Sequence, residues 1–185
     1  LETKPANVEG KGEYSIRDLV KNALRMRPDR IVVGECRGKE AYDMLQAMNT
    51  GHDGSMTTIH SNSAQDAISR IETMVLEAVS IPLVAVRRQI SQAVDIIVFV
   101  GRLKNGRRMT IQITEVIGLN PHTGEVETRD IFRKVGEGDD AVLAPTGYMP
   151  SFLGDAVERG LLDVKGWCED GKEPAPDSPS EGDAA

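Results

Sequence analysis

The sequence is poor in aromatic residues, at 4% of the chain, so Ile, Val, Leu and Met must carry the packing. Its two cysteines, Cys36 and Cys168, lie far apart and make neither a disulfide framework nor a metal-ligand pattern. No apolar run approaches the roughly 20 residues that a membrane-spanning helix needs. No basic segment followed by an apolar one opens the chain, as a secretory leader would require. No compact His, Cys and carboxylate cluster has the spacing of a zinc site. Nor does any stretch read G-x-x-x-x-G-K-[ST], the glycine-rich loop that cradles nucleotide phosphates. These absences leave a soluble cytosolic protein as the expectation.

At 185 residues the chain is long enough for one domain with a real core. The net charge of −7 is unevenly placed. After Gly166, six acidic residues against Lys172 give −5, so the body carries only −2. Acidity is therefore a property of the tail. That Pro/Ser/Gly-rich tail cannot bury enough apolar area to order itself, and disorder is expected over 167–185. The chain starts at Leu1, in a segment with no strand or helix signature, as an excerpt of a longer polypeptide would.

What is present is organised around residues 30–63, RIVVGECRGKEAYDMLQAMNTGHDGSMTTIHSNS. The run Ile31, Val32, Val33 predicts a strand buried on both sides, as in a parallel sheet. It ends in Gly34 and the carboxylate of Glu35. Residues 38–50 carry Ala41, Leu45 and Met48 at helical spacing, with Gly51 to close the helix. Residues 55–59 predict a second strand, ended by His60. An acid and an imidazole thus sit at the carboxyl ends of two strands joined by a helix, the edge at which open α/β sheets bind ligands.

The flanks supply the rest of an α/β pattern. Residues 1–14 are polar and punctuated by Gly and Pro, which predicts a loop or flap. Ser15 with Asp18 forms a capping box for a helix carrying Ile16, Leu19, Val20, Ala23 and Leu24, and Pro28 ends it. Arg17, Lys21 and Arg25 recur every four residues on a neighbouring face. Ser63 with Asp66 repeats the cap for a second helix, and Pro82 suits the first turn of a third. Residues 95–100, DIIVFV, predict another strand buried on both sides. Asn105 and Gly106 predict a type I′ hairpin turn leading to alternating Met109, Ile111 and Ile113. The sequence NPHTGE predicts a second turn and a short terminal strand near Val126. A last short helix is predicted within 148–162.

Each candidate group has two readings at this level. Glu35 is either the acid that a phosphate-hydrolysing enzyme places near Mg²⁺ or the attacking water, or an acid where a strand meets solvent. His60, beside Thr57 and Thr58, either contacts a phosphate or bonds a nearby backbone group. His52 reads equally as a loop histidine. Among the arginines at 17, 25, 27, 30 and 37, Arg37 stands out, two residues beyond Glu35 on the same edge. Cys36 reads as a small apolar filler. Four basic residues at the hairpin tip (Arg102, Lys104, Arg107, Arg108) read as solvated surface rather than a nucleic-acid site.

The order of these blocks strongly resembles the CpaF-type ATPases of tight-adherence pilus systems, within the type II/type IV secretion ATPase superfamily. The resemblance runs from LETKPANVEGKGEYSIRDLVKNALRMRPDRIVVGE through the GHDGSMTTIHSNS block and the TEVIGL strand, and fades after about residue 132. It implies a RecA-like P-loop NTPase core that lacks its first strands and phosphate loop, followed by a C-terminal β-hairpin. The implied division is 1–135 for this core, 136–166 for a short extension and 167–185 for the acidic tail. In that family RIVVGE is the Walker B strand and GHDGSMTTIHSNS the His box. The resemblance therefore implies catalytic roles for Glu35, His60 and Arg37, and nucleotide contacts from Glu35, Thr58, Arg17 and Arg25. Mg²⁺ would be held at Glu35 through water, with ATP as the substrate nucleotide. It further implies a hexameric ring working with inner-membrane pilus or secretion platform proteins. The location implied is cytoplasmic, peripheral at the inner membrane, with no direct nucleic-acid contact. A non-catalytic remnant or ring-assembly module, and a conjugation-type or retraction ATPase, remain alternatives. Cys36 departs from the usual aliphatic residue there, a change packing tolerates.

Overall fold

The computed structural model describes residues 1–161. Its first half is helical around a very small parallel sheet. Helix α1 (Ile16–Arg25) precedes strand β1 (Val32–Val33), helix α2 (Glu40–Met48), strand β2 (Met56–Thr57), helix α3 (Ala64–Ala78) and helix α4 (Leu83–Ala93). The second half is one antiparallel sheet in the order β3 (Ile96–Arg102), β4 (Arg108–Leu119), β5 (Val126–Val135) and β6 (Val142–Pro145), with α5 (Leu153–Glu158) after it.

The helix starts follow the local code. Ser15 accepts the Asp18 N–H, and the Asp18 carboxylate accepts the Ser15 N–H at 3.0 Å, closing a reciprocal capping box. Ser63 accepts the Asp66 N–H at 3.0 Å. Helix α1 ends where Arg27 adopts a left-handed backbone, φ 50°, just before Pro28. That position usually belongs to glycine, because an L side chain there costs about 1–2 kcal/mol. Glycine also loosens the unfolded chain, by about 0.4–1 kcal/mol. Arg27→Gly is therefore expected to stabilise the fold by a few tenths to about 1 kcal/mol, read as a raised urea midpoint. A lowered midpoint would mean that the arginine side chain contributes more than its backbone costs.

The core gathers Val20 from α1, Val33 from β1 with Ile31 just before it, and Leu45 and Met44 from α2. Ile68, Ile71 and Val75 come from α3, Val86 and Ile90 from α4. Val116 and Val126 of the antiparallel sheet close it, so the two halves share one core. Arg87 fastens the join: its Nε donates to Glu72 on α3 at 2.8 Å and its guanidinium to the Gly124 carbonyl at 3.2 Å.

Several expectations are corrected. The run at 31–33 is not buried on both sides, because Val32 is 69% exposed while Ile31 and Val33 are buried. Strand β3 is not buried on both sides either. It pairs antiparallel with β4, and Ile96, Val98 and Val100 are exposed on one face. A run apolar on both faces marks burial only when neighbours cover both, and here none of the described residues covers the second. The hairpin turn is not type I′: Asn105 does not take a positive φ. Gly106 does, at 88°, and donates its N–H to the Leu103 carbonyl at 2.8 Å. This is the three-residue loop with a left-handed glycine, the other common hairpin solution. The strand near Val126 is neither short nor terminal, since β5 has ten residues and β6 adds to it. The predicted hairpin is thus a four-stranded sheet. The acidic tail lies outside the described residues.

Beyond β6, the chain docks back onto the sheet through a buried acid. Glu115, 2% exposed, accepts the Ser151 N–H and hydroxyl, and Arg129 lies over the Tyr148 ring. Glu115 and burial together push the Tyr148 hydroxyl pKa up, burial being the larger cause.

Candidate functional site

Strands β1 and β2 run parallel, with Val32 opposite Met56 and Val33 opposite Thr57. Beyond the ladder the Cys36 N–H donates to the Thr58 carbonyl at 2.9 Å, and the Thr58 hydroxyl donates to the Gly34 carbonyl at 2.7 Å. These bonds hold the two strand ends level. Glu35 and His60 therefore meet across them, with His60 Nε2 3.0 Å from Glu35 Oε1. The other carboxylate oxygen, Oε2, lies 2.5 Å from the Arg37 guanidinium. Arg37, Glu35 and His60 form one polar row at the carboxyl edge of the parallel strands.

The two oxygens of Glu35 are not equivalent. Oε2 is paired with Arg37. Oε1 is covered from solvent, yet no donor among the described residues aligns a hydrogen bond on it, His60 being close but out of line. A covered carboxylate oxygen with no aligned donor is unmet acceptor capacity, of the kind a water or a hard cation's hydration shell satisfies. The Arg37 pairing holds the Glu35 carboxyl below the usual carboxylate range, against the upward push of desolvation. At neutral pH Glu35 is ionised. No three His, Cys, Asp or Glu among the described residues gather into a metal cage. Glu35 can thus supply only one part of a Mg²⁺ shell, which suits an ion that keeps its waters and is shared with phosphates.

The remaining candidates are placed elsewhere. Arg17 is engaged with Asp43 on α2, Nε to Oδ2 at 2.5 Å, and Lys21 approaches the same carboxylate at 3.8 Å. Arg17 therefore ties α1 to α2 and is not in the Glu35 row. Arg25 is exposed in the last turn of α1. That turn leads into β1 at the end opposite Glu35, so within one chain Arg25 and Glu35 face different edges. Thr58 spends its hydroxyl on the Gly34 carbonyl. His52 is a loop histidine, Nδ1 3.2 Å from the Ala47 carbonyl. Cys36 is buried, and burial pushes its thiol up to about 12, with Glu40 adding to the shift. It is a packed thiol, not a nucleophile.

Two residues of this region escape a reading of the sequence. Asp43 and Glu40, each 9% exposed, are buried acids on α2. Their signal was available: positions 40, 43, 44 and 47 share a helical face with apolar residues. Acids inside an apolar stripe need partners.

Two clefts of about 640 Å³ each flank the parallel pair. One lies between β2 and β3, bordered by Met56, Thr58, His60, Ile71, Val98 and Phe99. Both strands are edges of their sheets among the described residues. The other cleft runs along β1 and α1, bordered by Leu19, Val20, Val32, Gly34 and Glu35.

Residues 2–130 match the family model described as type II/IV secretion system protein. The chain belongs to that family. Among curated relatives of this secretion-system chain, a putative conjugal transfer protein of Mycobacterium tuberculosis is 40% identical over 142 residues. That match covers 76% of this chain and 39% of the relative. The conjugal transfer protein TrbB of Rhizobium radiobacter is 47% identical over 91 residues, covering 49% of this chain and 27% of TrbB. The solved VirB11 ATPase of the Brucella suis type IV secretion system, in complex with sulphate, is similar with a TM-score of 0.51. It is 32% identical, over 54% of this chain and 31% of that one. The secretion-system chain thus spans about two fifths or less of the length of these relatives. Among its described residues, no helix is long and apolar enough to cross a membrane.

Proposed function

We propose that this chain is the C-terminal part of a secretion motor ATPase, supplying the acid and the histidine of an ATP site completed by a phosphate loop. The observation that carries the reading is the Arg37–Glu35–His60 row at the carboxyl edge of two parallel strands, with one Glu35 oxygen covered and without an aligned donor. Mg²⁺ bound with ATP would neutralise charge building on the phosphates during transfer. Glu35 Oε1, the oxygen without an aligned donor, is the one that would accept from a metal-bound or attacking water. The His60 side chain is 84% exposed beside Glu35, which supports a role as a donor to a phosphate oxygen. Thr58 keeps the two strand ends level. Arg25, on the opposite edge, would serve only a site on a neighbouring copy, which is compatible with the hexameric ring.

The cleft between β2 and β3 supports the same reading. It separates two open strand edges, is lined mainly by apolar side chains, and has His60 at one end. A phosphate-loop strand would fill it, pairing with both edges and bringing backbone N–H groups toward Glu35 and His60. The finer reading is pilus assembly of the tight-adherence type, at the cytoplasmic face of the inner membrane through platform proteins. Conjugation is the second reading, favoured by the relatives named as conjugal transfer proteins. The test is ATP turnover by the complete polypeptide beside this chain alone. Turnover in the first and none in the second is expected. A complete polypeptide that carries a phosphate loop and does not hydrolyse ATP would overturn the proposal, leaving a ring-assembly module.

A further inference from the structure

Helix α2 begins without a side-chain cap, since Lys39 at its start makes no such bond. The polar group that orders this start is Glu40, one residue on. A carboxylate in a first helical turn ordinarily stays in solvent near the helix N–H groups. The Glu40 side chain instead reaches back, and its Oε1 accepts the Arg37 N–H at 2.7 Å and the Gly38 N–H at 3.0 Å. On the other side of the same turn, Cys36 N–H is fixed to the Thr58 carbonyl. Arg37 is thereby clamped by its backbone from both directions. Its side chain is 71% exposed, and its only described ion pair is with Glu35. A long, exposed arginine loses rotamer freedom when it pairs, and little of that loss is recovered at the surface. What favours the pairing is the place from which the side chain starts.

We propose that Glu40 is a positioning residue of the Glu35 site: its carboxylate sets the turn from which Arg37 reaches Glu35 Oε2, leaving Oε1 on the His60 side. This rests on reading Glu35 as the acid of the site. The bland counterpart is that Glu40 merely starts α2. The two differ in what happens to the Arg37 side chain.

The experiment is NMR of the ¹⁵N-labelled full chain without nucleotide, as native protein, Glu40→Gln and Glu40→Asp. Gln keeps an acceptor at the same reach. Asp keeps the charge but is one methylene shorter. In Glu40→Gln the resonance of the Arg37 Nη2 hydrogens, the ones facing Glu35, is expected to stay at its native, paired position. In Glu40→Asp it is expected to collapse to that of a free arginine, with Arg37 and Gly38 amide exchange faster by roughly tenfold or more. An unchanged Arg37 side-chain resonance in Glu40→Asp, even with a lowered thermal midpoint, would reduce Glu40 to a helix-start residue and overturn the proposal. A free-arginine signal in Glu40→Gln would also overturn it, by showing that charge and not reach holds Arg37. Glu40→Gln thus keeps the proposal open to refutation even where Glu40→Asp fails to fold. Since no nucleotide is involved, these outcomes are separate from loss of the ATPase reading, which is judged by turnover.

Discussion

Glu35→Gln in the complete polypeptide is expected to lower ATP turnover by about 10²–10⁴-fold, the range that a positioned acid–base group contributes. The substitution keeps the shape of the side chain and removes its charge and its basicity. Nothing in the core depends on Glu35, whose side chain is 25% exposed at the end of β1, so the variant should unfold at the native temperature or close to it. Nucleotide affinity should change little, because the phosphate cradle supplies most of it. The loss should therefore fall on kcat rather than on KM, the pattern of an interaction made in the transition state. Steady-state kinetics with a thermal melt of both proteins checks it. Native turnover in a folded variant would remove Glu35 from the chemistry and leave the Arg37 and His60 contacts as surface electrostatics.

The second large effect concerns the core. Leu45 is fully buried on α2, the helix that α1, α3 and α4 all contact. Leu45→Ala is expected to cost about 2–5 kcal/mol, combining lost transfer energy with the cavity left behind. In a chain of this size each kcal/mol lowers the melting temperature by about 2–4 °C. Val32→Thr is the matching control. Although Val32 lies inside an apolar run, its side chain is largely exposed, so the cost should stay within about 0.5 kcal/mol. Denaturant midpoints for both variants test the assignment of faces. Equal costs would mean that the side of β1 bearing Val32 is covered in solution.

Much of the local structure was legible because its causes are local. Capping boxes span three or four residues, and Ser15 with Asp18 and Ser63 with Asp66 act as their spacing implies. Helical periodicity placed α1 to α4. The strand–helix–strand order alone put Glu35 and His60 on one edge, since consecutive parallel strands joined by a helix must end on the same side. Other features depend on distant residues. The partner of Arg17 is Asp43, 26 positions away, and no pattern near Arg17 points to it. The Asn105 turn was misread because Asn-Gly suits two hairpin loops, and the register of β3 on β4 selects the longer one.

The amino-acid sequence by itself determined which helices flank the two central strands, where the capped ones start, and which acid and imidazole end those strands. Those outcomes follow from spacing and short-range hydrogen bonds. Only the tertiary structure decided what each side chain faces. It gave Arg17 to Asp43, set Arg37 on one oxygen of Glu35 and left the other without an aligned donor. It also left one face of β3 open where the sequence predicted burial. A run of Ile and Val carries no information about whether a neighbour covers its second face, because burial depends on what packs there.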